Sequence, residues 1–182
     1  MKFIDTHHDH TWHTVSGEDG PVSHPVPSAH SLLTLAQWHS VRTQWPAGMP
    51  VAVALPNDAD VEDLEADLPR LSLIALDFPK WVDGRAYSQA RLLRARYRFA
   101  GEIRATGQVL VDMLPLLART GFDAVELRAD QSIEAAERAL RFFNSGAGLG
   151  ALHYQGDVQD NRPLFRRPNT PAGENAASEA SA

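Results

Sequence analysis

Residues Leu71–Thr106, LSLIALDFPKWVDGRAYSQARLLRARYRFAGEIRAT, decide the fold. The apolar run Leu71–Phe78 is short and closed by Pro79, as a buried strand is. Pro79 and Gly84 bound a loop. The segment Tyr87–Tyr97 then repeats apolar residues at helical spacing, with Ala86, Ala90, Leu93 and Tyr97 on one side. Gly101 ends that pattern and Glu102–Thr106 reads as a second strand. Two strands joined by one helix need a crossover and therefore pair in parallel. The same rhythm extends outward, with strands predicted at Val51–Leu55 and Phe122–Arg128. Further helical stretches are predicted at Val61–Leu68 after Asp58 and Asp60, at Val109–Arg119, and at Ile133–Phe143 behind Ser132 as N-cap. Gly121 is placed for a left-handed C-cap, and Pro115 predicts a kink or break in the third helix. Four βα units give an α/β fold with a mainly parallel sheet of four or five strands, either an open sheet or a half-barrel.

The flanks differ in texture. Residues 1–48 hold seven of the eight His and the turn-rich stretch GEDGPVSHPVPS, which predicts an irregular arm. It carries one amphipathic helix over Ser31–Trp45, ended by Pro46 and Gly48. Residues 49–145 form the α/β domain. Beyond them, 146–182 close in NTPAGENAASEASA, a polar, Ala-rich stretch expected to be irregular to disordered.

The chain has 182 residues, 43% of them hydrophobic, enough for one core. Seventeen Lys and Arg against 23 Asp and Glu leave a charge of -6, which argues against a nucleic-acid partner and a polybasic membrane patch. The polar start MKFIDTHHDHTWHT is expected to be neither a secretory signal nor an anchor, so the protein is expected in the cytoplasm. Without cysteine there is no thiolate nucleophile, disulfide or Cys-ligated metal. The sequence has neither a Gly-rich dinucleotide fingerprint nor a phosphate-binding P-loop, and no cofactor is expected.

Consecutive right-handed βα units bring every strand-to-helix loop to one edge of the sheet, where such folds bind ligands. That edge collects Lys80, Arg85, Arg104 and Arg128, which would form an anion-binding pocket oriented by Asp83, Tyr87 and Ser88. The other reading of the same residues is a structural network, in which the arginines pair with Asp77, Asp83, Glu102, Glu126 and Asp130. The arginine run Arg85, Arg91, Arg94, Arg96 and Arg98 is read as a solvated face or as a docking surface for an acidic partner. No catalytic residue is assigned. At the N-terminus, Asp5-Thr-His-His-Asp-His10 is similar to the His-x-His strand end of metal-dependent amidohydrolases. Those enzymes need later His and Asp ligands, and here the only His beyond residue 39 is His153. No metal site is expected, and His7, His8, His10 and His13 are expected not to converge.

The stretch Leu73–Leu140 resembles a bacterial family, domain of unknown function 934. FPKWVDGRAYSQARLLR (Phe78–Arg94) is close to the family's most distinctive run, and GFDAVELR (Gly121–Arg128) follows its second. Lys80, Asp83, Gly84, Arg85, Tyr87, Ser88, Gln89, Arg91, Arg104, Gly107, Asp123 and Arg128 match position by position, whereas the segment Gln108–Asp112 and Pro115 depart from the pattern. The resemblance implies a companion of assimilatory sulfate and sulfite reduction, working beside sulfite reductase or its electron donor in cysteine biosynthesis. It also implies an oxidoreductase label that marks a pathway and not a reaction. Two functions follow as expectations: an accessory protein that docks on sulfite reductase or its electron donor and holds a small anion, or a stand-alone oxidoreductase with a Lys- and Arg-lined site.

Overall fold

Alternation along the strands sorts this sequence into two unlike faces, and the computed structural model, which describes residues 1–4, 11–17 and 20–144, shows how the chain uses them. The strands are β1 (Lys2–Ile4), β2 (His13–Thr14), β3 (Ser16–Gly17), β4 (Gly20–Pro21), β5 (Ser31–Thr34), β6 (Val51–Leu55), β7 (Leu73–Phe78), β8 (Glu102–Gly107) and β9 (Ala124–Glu126). Seven of them form one sheet in the order β1-β9-β8-β7-β6-β5-β2, every neighbouring pair parallel. The remaining two, β3 and β4, make a small antiparallel ribbon.

The helices are α1 (Leu35–Val41), α2 (Arg85–Ala95), α3 (Leu114–Thr120) and α4 (Ile133–Asn144), with 3₁₀ segments at Val61–Arg70 and Val111–Met113. All pack on one face. Leu33, Val53, Leu55, Ile74, Leu76, Phe78, Ile103, Ala105 and Val125 meet Trp38, Leu64, Ala90, Leu93, Leu114, Leu117 and Ala136 in a single core. The alternate residues Leu32, Ala52, Ala54, Leu73 and Ala75 point the other way, where Trp12 packs on them. Consecutive parallel strands with helices on one side only are the construction of half a βα barrel, and the small-residue face is its inner face.

The four strands expected from Val51 onward are present in parallel. The count of four or five is corrected to seven, because β1, β2 and β5 come from the segment expected to be an irregular arm. Strands of two to four residues carry too few positions for a period to show. The helix expected from Ser31 begins only at Leu35. Thr34 accepts from the Gln37 amide (3.2 Å) while Gln37 Oε1 accepts from the Thr34 amide (2.8 Å), a capping box that starts α1 and frees Ser31–Thr34 for β5.

The 3₁₀ segment buries Val61, Leu64 and Asp67 at a three-residue repeat. Asp67 accepts from the Trp38 indole (3.0 Å) and Arg42 (3.1 Å), tying that segment to α1. Pro115 breaks the expected third helix as anticipated: a 3₁₀ turn precedes it and α3 carries the proline in its first turn, where no amide is needed. Gly121 caps α3 at φ 107°. His7, His8, His10 and the stretch 146–182 lie outside the described residues. Among the described residues no helix is long and apolar enough to cross a membrane.

Candidate functional site

Parallel order places the loops after β6, β7, β8 and β9 along one edge, and hydrogen bonds stitch them together. Asn57 Nδ2 donates to Asp83 Oδ2 (2.8 Å), and Gln89 Nε2 donates to the carbonyls of Pro56 (2.8 Å) and Ala59 (2.9 Å). The Gln108 amide donates to Phe78 O (2.8 Å), and the Arg128 amide to Val109 O (3.0 Å). The Val111 amide completes the chain by donating to Gln131 Oε1 (3.1 Å). The edge is a braced surface.

On this edge each candidate arginine has a carboxylate of its own. Arg85 makes two side-chain hydrogen bonds to Asp83 (3.0 and 2.7 Å), and the Arg85 amide also donates to Asp83 (3.2 Å). Asp83 therefore orients Arg85 and braces Asn57, and these bonds, the one from the Arg85 side chain foremost, hold its pKa at about 2. Arg128 grips Asp130 through two bonds of 2.6 Å and holds it at about 2 likewise.

Arg104, within the predicted strand Glu102–Thr106, was expected at the strand end on the loop edge and instead occupies the middle of β8. Ile103 and Ala105 face the helices, so Arg104 faces inward beside Glu102 and is only 7% exposed. Its Nε donates to Glu102 Oε1 (2.8 Å). Nη2 lies 2.7 Å from the same oxygen but has no acceptor in line.

Lys80 is exposed, in a turn closed by the Asp83 amide on Lys80 O (2.9 Å), and makes no ion pair among the described residues. Tyr87 is half-buried, edge-on to Phe78 (5.1 Å between ring centres) and Phe122 (6.4 Å). Burial, with the Asp112 charge adding, pushes its hydroxyl to about 12, which keeps it protonated at neutral pH. Ser88 lines an open cleft of about 260 Å³ with Asn57, Asp58, Asp60, Arg85 and Gln89. Arg85, Arg104 and Arg128 are each paired with a different carboxylate, Asp83, Glu102 and Asp130.

Two features of this edge were not singled out from the sequence. The first is an apolar pair at the crest of the β7–α2 loop, Trp81 at 56% exposure and Val82 at 66%. The second is the polar mouth of the inner face. Asp77 stands opposite Thr106 across β7 and β8, Arg104 stands opposite Ala75 and Ala124, and Glu126 on β9 is close enough to feel the Arg104 charge. Burial raises the carboxyl pKa of both Asp77 and Glu126. Period-two reading of LIALD (Leu73–Asp77) and EIRAT (Glu102–Thr106) would have put these side chains on one face, but the sequence does not say that the face is concave. Among the described residues no group of His, Asp and Glu is placed to hold a metal ion.

A profile of the family described as a bacterial protein of unknown function (DUF934) matches residues 52–165. The chain belongs to this family. The matched region opens at β6 and includes the braced edge, the Trp81 crest and the Asp77, Thr106, Arg104 and Glu126 positions, while β1, β2 and β5 precede it. No curated protein matches this DUF934 chain.

Proposed function

We propose that the protein is a cytoplasmic accessory component of assimilatory sulfate and sulfite reduction that docks on sulfite reductase or its electron donor through the β7–α2 loop. The pathway comes from the family resemblance. The observation that carries docking is the exposed pair Trp81 and Val82, presented on a loop already fixed by the Asn57–Asp83 and Arg85–Asp83 bonds. Tryptophan is enriched among interface hot spots, and a loop ordered in advance loses little freedom on binding. Lys80, exposed beside this pair, is the cation best placed to meet an acidic rim or a small anion on the partner.

The alternative is a stand-alone oxidoreductase of sulfite reduction. It is favoured by Asp77 and Glu126, two carboxyls with raised pKa at the end of a parallel sheet where active sites form. A deletion strain separates the readings. Docking predicts loss of growth on sulfate but not on cysteine, rescue by the wild-type gene and by Asp77→Asn, and no rescue by Trp81→Ala. Rescue by Trp81→Ala with failure of Asp77→Asn supports the enzyme instead.

A further inference from the structure

The inner face ends in side chains of opposite character held within three adjacent strands. Asp77, Thr106 and Glu126 are partly exposed at the mouth, and Arg104 lies buried one pleat below Thr106. Arg104 spends Nε on Glu102, and Nη2, though paired in charge with the same oxygen at 2.7 Å, has no acceptor in line for a hydrogen bond, so a buried donor is left to be filled. Among the described residues Thr106 Oγ1 has only a long bond of 3.4 Å to Leu76 O. Asp77 and Glu126 make no ion pair among the described residues, and the same face carries the small residues Ala54, Ala75 and Ala124, with Trp12 packed against the cluster that includes Ala75. A simple anion would meet Glu102, Asp77 and Glu126 together with the single Arg104. A simple cation would leave Nη2 as it is. A ligand that carries both charges answers both demands.

We infer that Arg104, Thr106, Asp77 and Glu126 form a binding site for a small zwitterion of the α-amino acid class, its carboxylate taken by Arg104 and Thr106 and its ammonium by Asp77 and Glu126. Each contact would be a charge-assisted hydrogen bond. The raised carboxyl pKa values fit, because a buried carboxylate gains most from an incoming cation. The site is independent of the docking loop, so either can fail without the other.

The test uses the whole chain and glycine, the minimal member of the class, in a titration followed by the amide signals of Thr106, Gly107 and Val125. Glycine is expected to shift these signals saturably, whereas methylammonium or acetate at the same concentration shifts them little. Asp77→Asn and Glu126→Gln, which keep shape and lose charge, are expected to weaken glycine binding about tenfold or more. Circular dichroism is the check that both variants fold. Signals unmoved by glycine, half-ligands that act as strongly as glycine, or folded Asp77→Asn and Glu126→Gln proteins that bind glycine normally would each overturn the site.

Discussion

Gly107 and the Asp77 carboxylate are packed so closely that a β-carbon on Gly107 would stand 2.6 Å from Asp77 Oδ1 and 2.6 Å from the carbonyl oxygen of Phe78. The backbone at Gly107 is also left-handed, with φ 88°. The residue that ends β8 is thus fixed by the strand beside it, and the Asp77 side chain is held at the mouth of the inner face. Gly107→Ala combines a conformational cost with a clash against main chain and is expected to lose roughly 2 kcal/mol or more of stability in urea denaturation. Adding Asp77→Ala should restore only part of the loss, because the Phe78 carbonyl remains in the way. Full restoration would show that the carboxylate alone sets the packing.

Asp77 and Glu126 should behave as groups kept at a cost to the fold. Burial raises both above their ordinary values of 3.8 and 4.5. The folded chain therefore holds those protons more tightly than the unfolded chain, and stability falls as pH rises from the ordinary values through the folded ones. Asp77→Asn and Glu126→Gln remove that penalty. At neutral pH each is expected to melt at or above the wild-type temperature, the mark of residues whose charge serves something other than stability. A clear drop in melting temperature would count against a ligand-facing role.

The opposite sign applies on the loop edge. Asp83 and Asp130 fall from 3.8 to about 2 through their bonds to Arg85 and Arg128. Their contribution is complete above the unfolded value and is lost as pH drops from 3.8 towards about 2. Both pairs are exposed, so the effect should be small and weaker at high salt. Asp83→Asn should flatten this part of the acid limb and speed amide exchange in residues 80–85, since it also loses the full strength of the bond from Asn57.

Arg94 shows how a charge run can hide a strut. Its Nε donates to Gly121 O (3.0 Å), Nη1 to Gly101 O (2.9 Å) and Phe99 O, and Nη2 pairs with Asp123, whose carboxylate also accepts the Ile103 amide (2.8 Å). It joins the starts of β8 and β9 at the end of the sheet away from the loop edge. Arg94→Ala is expected to cost roughly 3 kcal/mol, and Arg94→Lys to recover little because an ammonium cannot replace the fork. Neighbouring Arg91→Ala, exposed, should be near neutral in the same melting experiment.

Strand–helix–strand order from Val51 onward was legible because β6, β7 and β8 are five or six residues long and bounded by Pro or Gly. The edge strands were not, since Lys2–Ile4 and His13–Thr14 are specified by their neighbours in the sheet and carry no period of their own. The T-x-x-Q box at Thr34 was readable but lay inside an apolar spacing that continued across it. For the site, Asp83 beside Arg85 and Asp130 beside Arg128 are local pairs that sequence separation makes visible. The inward turn of Arg104 depends on which face the helices cover, and the exposure of Trp81 runs against the burial expected of a tryptophan.

Binding of the purified protein to purified sulfite reductase and to its electron donor, measured by surface interferometry for wild type and a Trp81→Ala, Val82→Ser double variant, tests the docking account most directly. The account predicts saturable binding to one of the two, weakened at least about tenfold in the double variant, as the loss of a hot-spot residue would give, with the melting temperature unchanged because both side chains are exposed. Binding to neither protein, or equal binding by wild type and the double variant, would contradict it.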